Sequence, residues 1–281
     1  MTPREHDVMR SVEDQYWWYV ALRRHVVETI GTVGEAASFP SETRVFARGR
    51  EADNFLYRGR NPGFLATEDE RSILDAGCGS GGMLQALRSA FSRVKLVGVD
   101  ASQHALRLTA ERLTGAELVR GSVDQLRFAD GSFDDVLSID VLTAAGVDAP
   151  RALAEAHRVL RPNGRVLVNV AAFDFLRGAH DVAVDVDHRY TSADLRALLI
   201  DAGFAIERLS YWNTLLFPAV AAIRWLSRRR ARPEIARSDF RALPSLLNVT
   251  LHDIALLELR AGTRVSLPFG TSIFAVGRKH V

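Results

Sequence analysis

The chain of 281 residues contains one cysteine, Cys78, so an internal disulfide is excluded. Cys and His clusters at ligand spacing are missing too, and no metal site is expected. No apolar run approaches the ~20 residues that a bilayer span requires. The longest, residues 215–223, is broken by Pro218. The opening MTPREHDVMRSVEDQYWW mixes both signs of charge without an apolar core, which is not the pattern of a signal or transit peptide. An excess of one charge is also lacking: 36 Lys and Arg stand against 34 Asp and Glu, so a nucleic-acid footprint across the whole surface is not expected. Repeats and low-complexity tracts are absent. What remains is an ordinary globular composition, 47% hydrophobic and 25% charged, with a cytoplasmic location expected. The oligomeric state stays open.

Aromatic residues are scarce at 8%, yet four stand together in YWWY, residues 16–19. Residues 13–30 read as a helix by the recurrence of Tyr16, Tyr19, Val20, Val26, Val27 and Ile30, stopped by Gly31. Residues 35–70 lose all periodicity and read as a long connection or flap. From residue 72 short apolar runs alternate with helical patterns. Strands are expected at 72–76, 94–100, 116–121, 133–140 and 164–170, and helices at 82–90, 102–113 and 150–160. Such alternation implies a parallel sheet with helices on both faces. PNG, residues 162–164, reads as a turn between a helix and the next strand. A helix capped by Thr191 or Ser192, a strand after Gly203 and a last strand at 271–278 complete the pattern. The domains expected are a cap and flap at 1–70, a nucleoside-binding core at 71–212, a helical substrate cover at 213–270 and a returning strand at 271–281.

SILDAGCGSGGMLQAL carries the strongest chemical signal. Gly77, Gly79 and Gly82 satisfy G-x-G-x-x-G between strand and helix, which lets a ligand approach backbone N–H groups. Asp100 closes the second strand, where a carboxylate accepts ribose hydroxyls; nicotinamide enzymes place an acid there too. Asp75 discriminates more, because a carboxylate at the lip of the loop repels a pyrophosphate and suits an ammonium. That combination favours S-adenosylmethionine.

LDAGCGSGG, GVDAS, LRFADGSFDDVLSIDVL and VLRPNGRVLV, in that order, resemble the class I S-adenosylmethionine-dependent methyltransferases over residues 73–212 and the final strand. The resemblance extends to a bacterial small-molecule branch with an N-terminal YWWY helix and a C-terminal LPFG tail. It implies a doubly wound α/β fold, a seven-stranded Rossmann-like sheet in the order 3-2-1-4-5-7-6 with the last strand antiparallel. It also implies that Gly77, Cys78 and Gly79 underlie the methionine part, Asp100 binds the ribose, and Ala101 or Ser102 edges the adenine. Val123 would offer its N–H to the adenine, and Asp140 would face the ammonium or the reacting centre. Where many relatives have Gly-Asp this chain has Gly121-Ser122, so Ser122 or Asp124 would serve the adenine amino group. Cys78 reads as a small loop residue, not a nucleophile.

Acceptors that hold a proton need a base. AHDVAVDVDHRYTS supplies His188 as the first candidate, with Arg189 and Tyr190 to orient it or the substrate; anchoring of the next helix is the plainer alternative. Tyr16 or Tyr19 is expected to face the cleft from the first helix, Trp17 or Trp18 to pack on the sheet edge or inserted helices, and Arg23 to meet the methionine carboxylate. Residues 213–232 join an apolar stretch to Arg224, Arg228, Arg229, Arg230 and Arg232, which suits an anionic membrane surface or substrate, or a packed helix with a solvated basic end. O-methylation of a small molecule, sugar-like, lipid-linked or natural-product, is the leading expectation. A nicotinamide-dependent oxidoreductase and a non-catalytic nucleoside-binding protein are the alternatives.

Overall fold

The computed structural model describes residues 1–31, 71–229 and 243–280. The expected flap at 35–70, with Arg230 and Arg232, lies outside the described residues. Strands β1 (Arg71–Ala76), β2 (Val94–Asp100), β3 (Glu117–Arg120), β4 (Phe133–Ile139), β5 (Leu160–Ala171), β6 (Phe204–Trp212) and β7 (Ser272–Lys279) form one sheet in the order 3-2-1-4-5-7-6. β1 pairs in parallel with β2 and β4, and β7 runs antiparallel to both β5 and β6. The carboxyl ends of β1, β2, β4, β5 and β6 therefore share one edge, where an open α/β sheet holds its ligands.

The sequence explains most boundaries locally. Ile73, Leu74, Val97, Val136, Leu137 and Val166 are fully enclosed or nearly so, as a sheet covered on both faces demands. Helices α1 (Pro3–Val12), α2 (Trp17–Gly31), α3 (Gly82–Ala90), α4 (Gln103–Arg112), α5 (Ala149–Val159), α6 (Ala179–Ala183), α7 (Ser192–Asp201), α8 (Phe217–Arg229) and α9 (Ser245–Ala261) surround it. Asp148 caps α5 through Arg151 N at 3.1 Å, and Thr191 caps α7 in a reciprocal pair with Asp194. Trp17, Leu22, Val26 and Ile30 of α2 enter a common core with Leu84 and Leu87 of α3 and Leu256 and Leu259 of α9. Leu153 of α5 and Leu195 and Leu199 of α7 join the other.

Two expectations are corrected. The helix expected at 13–30 is α2, which starts only at Trp17 after a turn at residues 13–16, and an unexpected helix, α1, precedes it from Pro3 under a Thr2 cap. α1 is largely polar, with a short apolar face of Val8, Met9 and Val12. The start of α2 is capped from far away: Asn248 Oδ1 accepts from Trp17 N at 3.0 Å, and Asn248 Nδ2 donates to Gln15 O. PNG is likewise not the gap before a strand. β5 already begins at Leu160, which pairs with Phe133, and Asn163 at φ 64° makes the irregularity inside the strand.

Candidate active site

The glycine loop leaves β1 with Gly77 at φ 91° and Gly79 at φ 54°. A Cβ at Gly77 would collide with Val141 at the end of β4, so the residue must be glycine on two counts. Gly77 N and Cys78 N both donate to Val99 O, at 2.7 and 3.0 Å, which ties the loop to β2. Asp100 then accepts from Gly79 N at 2.9 Å through one oxygen and from Ser102 N at 2.8 Å through the other. Ser102 in turn caps α4. Asp100 is thus oriented by the two walls that frame it.

Asp75 is enclosed, 1% exposed, and its Oδ2 has no hydrogen-bond partner in the structure. Burial, with the Asp100 carboxylate adding to it, pushes the Asp75 carboxyl up to about 7. The Cys78 thiol is pushed up far beyond its ordinary range by burial, then by Asp75 and Asp100, which leaves it unreactive. Val123 is buried beyond β3, Asp124 is half-buried, and Ser122 and Ala101 are exposed.

Asp140 follows β4 at φ 59°, a left-handed conformation uncommon for a side-chain-bearing residue, though one Asp and Asn adopt more readily than most. Burial raises its carboxyl to about 7, against the opposing effects of Asn169 and Arg189. Asn169 on β5 is wholly buried; its Nδ2 donates to Asp140 Oδ1 at 2.9 Å, and its Oδ1 accepts from Trp212 Nε1 at 2.9 Å. Arg189 is fixed by Asp181 Oδ1 at 2.8 Å and by Ala172 O at 3.0 Å. Tyr19 belongs to this group: its hydroxyl is held well above its usual value by burial and by Asp140.

The aromatic quartet divides around α2. Tyr19 is the member influenced by Asp140, and Tyr16 lies against it, ring centres 6.3 Å apart. Trp17 is buried where α2 meets Asn248 of α9, and Trp18 stacks on Trp212 at 5.2 Å. Arg23 donates to Glu13 O and to Asp14 Oδ1 at 3.2 Å, and its guanidinium rests against Gly82 at the start of α3.

The candidate bases from the segment after β5 are placed differently from the expectation. His188 is half exposed, with Nδ1 3.6 Å from Asp174 Oδ2 and its ring edge-on to Tyr190. Tyr190 is buried, and its hydroxyl donates to Leu142 O at 3.0 Å. Tyr190 is thus tied to Leu142 while His188 stays at the surface, and beside the strand ends stand the buried carboxyl of Asp75 and the half-buried one of Asp140. Sequence reasoning overlooked Asn169 and Trp212, which look like ordinary strand residues; only the pairing of polar side chains across β4, β5 and β6 reveals them. Asp134 and Asp135 lie at the opposite edge as expected of a strand start, Asp135 bound by Arg165 and Arg71.

An aromatic cluster lines the same carboxyl edge farther along. Phe173, at φ 59° after β5, stacks on Tyr211 at 5.1 Å and meets Phe175 and Phe217; Phe217 also meets Phe269. Among the described residues no group of His, Cys, Asp and Glu is placed to hold a metal, and no helix is long and apolar enough to cross a membrane.

Residues 74–168 match a family model described as a methyltransferase domain. The chain is 32% identical over 192 residues to an uncharacterised 37.1 kDa protein in transposon TN4556 of Streptomyces fradiae, covering 62% of this chain and 54% of that one. It is 37% identical over 98 residues to the phthiotriol/phenolphthiotriol dimycocerosates methyltransferase of Mycobacterium leprae, covering 34% and 36%. It is 35% identical over 139 residues to the malonyl-[acyl-carrier protein] O-methyltransferase of Dechloromonas aromatica, covering 47% and 51%. The chain thus spans about half or less of the length of these relatives. Among solved structures, a Haloferax volcanii complex between the Trm112 methyltransferase activator and a putative methyltransferase superposes with a TM-score of 0.51 at 20% identity, over 76% of this chain and 84% of that one. The glycine loop, the sheet order and the match over residues 74–168 agree on the fold of the class I methyltransferases for the core of this chain.

Proposed function

We propose that the protein transfers a methyl group from S-adenosylmethionine to a small molecule with an apolar body, at an oxygen. The observation that carries this reading is the buried Asp75 oxygen without a partner at the neck of the glycine loop. Buried polar atoms are almost always satisfied, and a carboxylate there suits a cationic group such as the methionine ammonium. When bound, the cofactor supplies a sulfonium methyl that passes to the acceptor by in-line displacement, leaving a neutral thioether. The chain's part is to position the acceptor and to take its proton.

Asp75 would hold the ammonium, Gly77 and Gly79 would lie beneath the methionine part, and Asp100 would hold the ribose. The flanks of the adenine would be Ala101, Ser102 and Val123, with Ser122 or Asp124 toward its amino group. Arg23, beside the start of α3, would reach the methionine carboxylate only by exchanging its contacts with Glu13 and Asp14. Asp140 takes the role of base in preference to His188, because it is half-buried, oriented by Asn169, and raised to about 7, near the optimum for proton transfer. Tyr19 and Tyr16 would close the site from α2. The Phe173, Phe175, Tyr211, Phe217 and Phe269 cluster favours an apolar acceptor, and two relatives named above are a malonyl-[acyl-carrier protein] O-methyltransferase and a phthiotriol/phenolphthiotriol dimycocerosates methyltransferase.

A lipid-linked acceptor is favoured by one further observation. Ile223 and Leu226 of α8 are exposed beside Trp225, and the helix contains no acidic residue. Such a face suits peripheral contact with an anionic bilayer, which co-sedimentation with phosphatidylglycerol vesicles tests against phosphatidylcholine controls. For the central reading, calorimetric titration with S-adenosylmethionine, S-adenosylhomocysteine and NAD is decisive. Binding of the first two is expected; binding of NAD alone would overturn the methyltransferase reading.

A further inference from the structure

α1 lies across the nucleoside end of the candidate site. Its His6 is 4% exposed, and the ring Nδ1 has no hydrogen-bond partner. The charged and titratable groups around this imidazole are Asp100 at the end of β2, His104 on α4, Asp7 on α1 and the terminal amine; Asp100 acts on it most strongly. The His6 and His104 ring centres are 6.3 Å apart, and His104 Nε2 meets Asp7 Oδ1 at 2.7 Å. One turn on, Met9 covers the glycine loop, with its Cε 3.3 Å from where a Cβ on Gly79 would stand. At the end of the helix, Ser80 Oγ donates to Glu13 Oε1 at 2.5 Å, and Arg112 of α4 pairs with Glu13 and Asp14, each at 2.7 Å. α1 thus bridges the glycine loop and α4, the two elements that orient Asp100.

An unsatisfied buried nitrogen costs about 1–3 kcal/mol, so its persistence on the helix that covers the glycine loop and α4 points to a ligand partner. We propose that His6 is a binding residue for the ribose of the nucleoside cofactor, carried on α1 as the roof of that half of the site. The proposal rests on the S-adenosylmethionine assignment above. Its chemistry is specific: a ribose hydroxyl both donates and accepts, so it can donate to Asp100 while bonding to the imidazole. A lysine or arginine at position 6 would instead pair with Asp100 and occupy the acceptor that the ribose needs.

The test compares wild type with His6→Phe, which keeps the ring bulk and removes the nitrogens, by calorimetry with S-adenosylhomocysteine, adenosine and 2′,3′-dideoxyadenosine. Loss of one hydrogen bond predicts about tenfold weaker binding of S-adenosylhomocysteine and a similar fall in the preference for adenosine over its dideoxy analogue. His6→Asn, whose amide can stand near Nδ1, is expected to keep most of that preference. Thermal melts without ligand establish whether each variant folds; where His6→Phe does not, His6→Ala supplies the same ratio. An unchanged preference overturns the proposal, because lost packing alone weakens both nucleosides equally. Failure of the wild-type protein to bind S-adenosylhomocysteine or adenosine overturns the cofactor assignment itself, and the ribose role with it.

Discussion

Asp75→Asn should stabilise the free protein at pH 8 while weakening its cofactor binding. In the folded chain the Asp75 carboxyl stands at about 7 against an ordinary value of 3.8, because it is buried without a partner for Oδ2 and lies near Asp100. The folded state therefore holds a proton that the unfolded chain releases. As pH rises from 3.8 to 7 this group progressively destabilises the fold, and above 7 the penalty is constant, on the order of 4 kcal/mol at ~1.4 kcal/mol per pH unit. Asparagine carries no charge to desolvate, though a buried amide without a full set of partners costs about 1–3 kcal/mol. The net gain at pH 8 is then about 1–3 kcal/mol. The pH dependence is the sharper test, because the cost of the amide cancels: between pH 8 and pH 5 the advantage of the variant should shrink by about 3 kcal/mol. Urea unfolding of both proteins at the two pH values measures it. S-adenosylhomocysteine should stabilise the wild type at pH 8, where its ammonium relieves the uncompensated carboxylate, and hardly affect the variant. A variant no more stable than wild type at pH 8, or one that binds the ligand equally well, would refute the argument that this oxygen is held ready for a cation.

Three further outcomes follow from the strand ends. Wild-type turnover should rise with pH to a plateau set by a group near 7, whereas Asp140→Asn should lower turnover by roughly 10²–10⁴ and abolish that dependence; an unchanged pH–rate profile would remove Asp140 as base. His188→Ala should alter neither turnover nor cofactor affinity by more than about twofold, since the ring is half exposed and lies against the Asp174 side and Tyr190. Trp212→Phe keeps a ring against Trp18 but deprives Asn169 Oδ1 of its donor, which should cost about 1–3 kcal/mol in denaturant unfolding and lower turnover through Asp140.

Some of this was legible locally. The helix starting at Gly82 and the strand at 94–100 coincide with their expected bounds, because a glycine turn and a short, nearly continuous apolar run need only neighbours in sequence. The Thr191 cap is similarly local, closed within three residues by Asp194. By contrast α1 is too polar to announce itself by periodicity, and α2 begins where it does because Asn248, 231 residues away, caps Trp17. The candidate base shifted for the same kind of reason. His188 has the intrinsic titration range of a base, but that range is modified by enclosure, and enclosure is a property of packing.

The sequence by itself determined the alternation of strand and helix, the glycine loop and the acids closing β1, β2 and β4, since each depends on residue type and short spacing. Only the tertiary structure decided which of those acids is buried without a partner, that Asn169 and Trp212 stand behind Asp140, and that α1 brings His6 beside Asp100. These are contacts between segments far apart in the chain, and their energies depend on desolvation, which no single stretch of sequence contains.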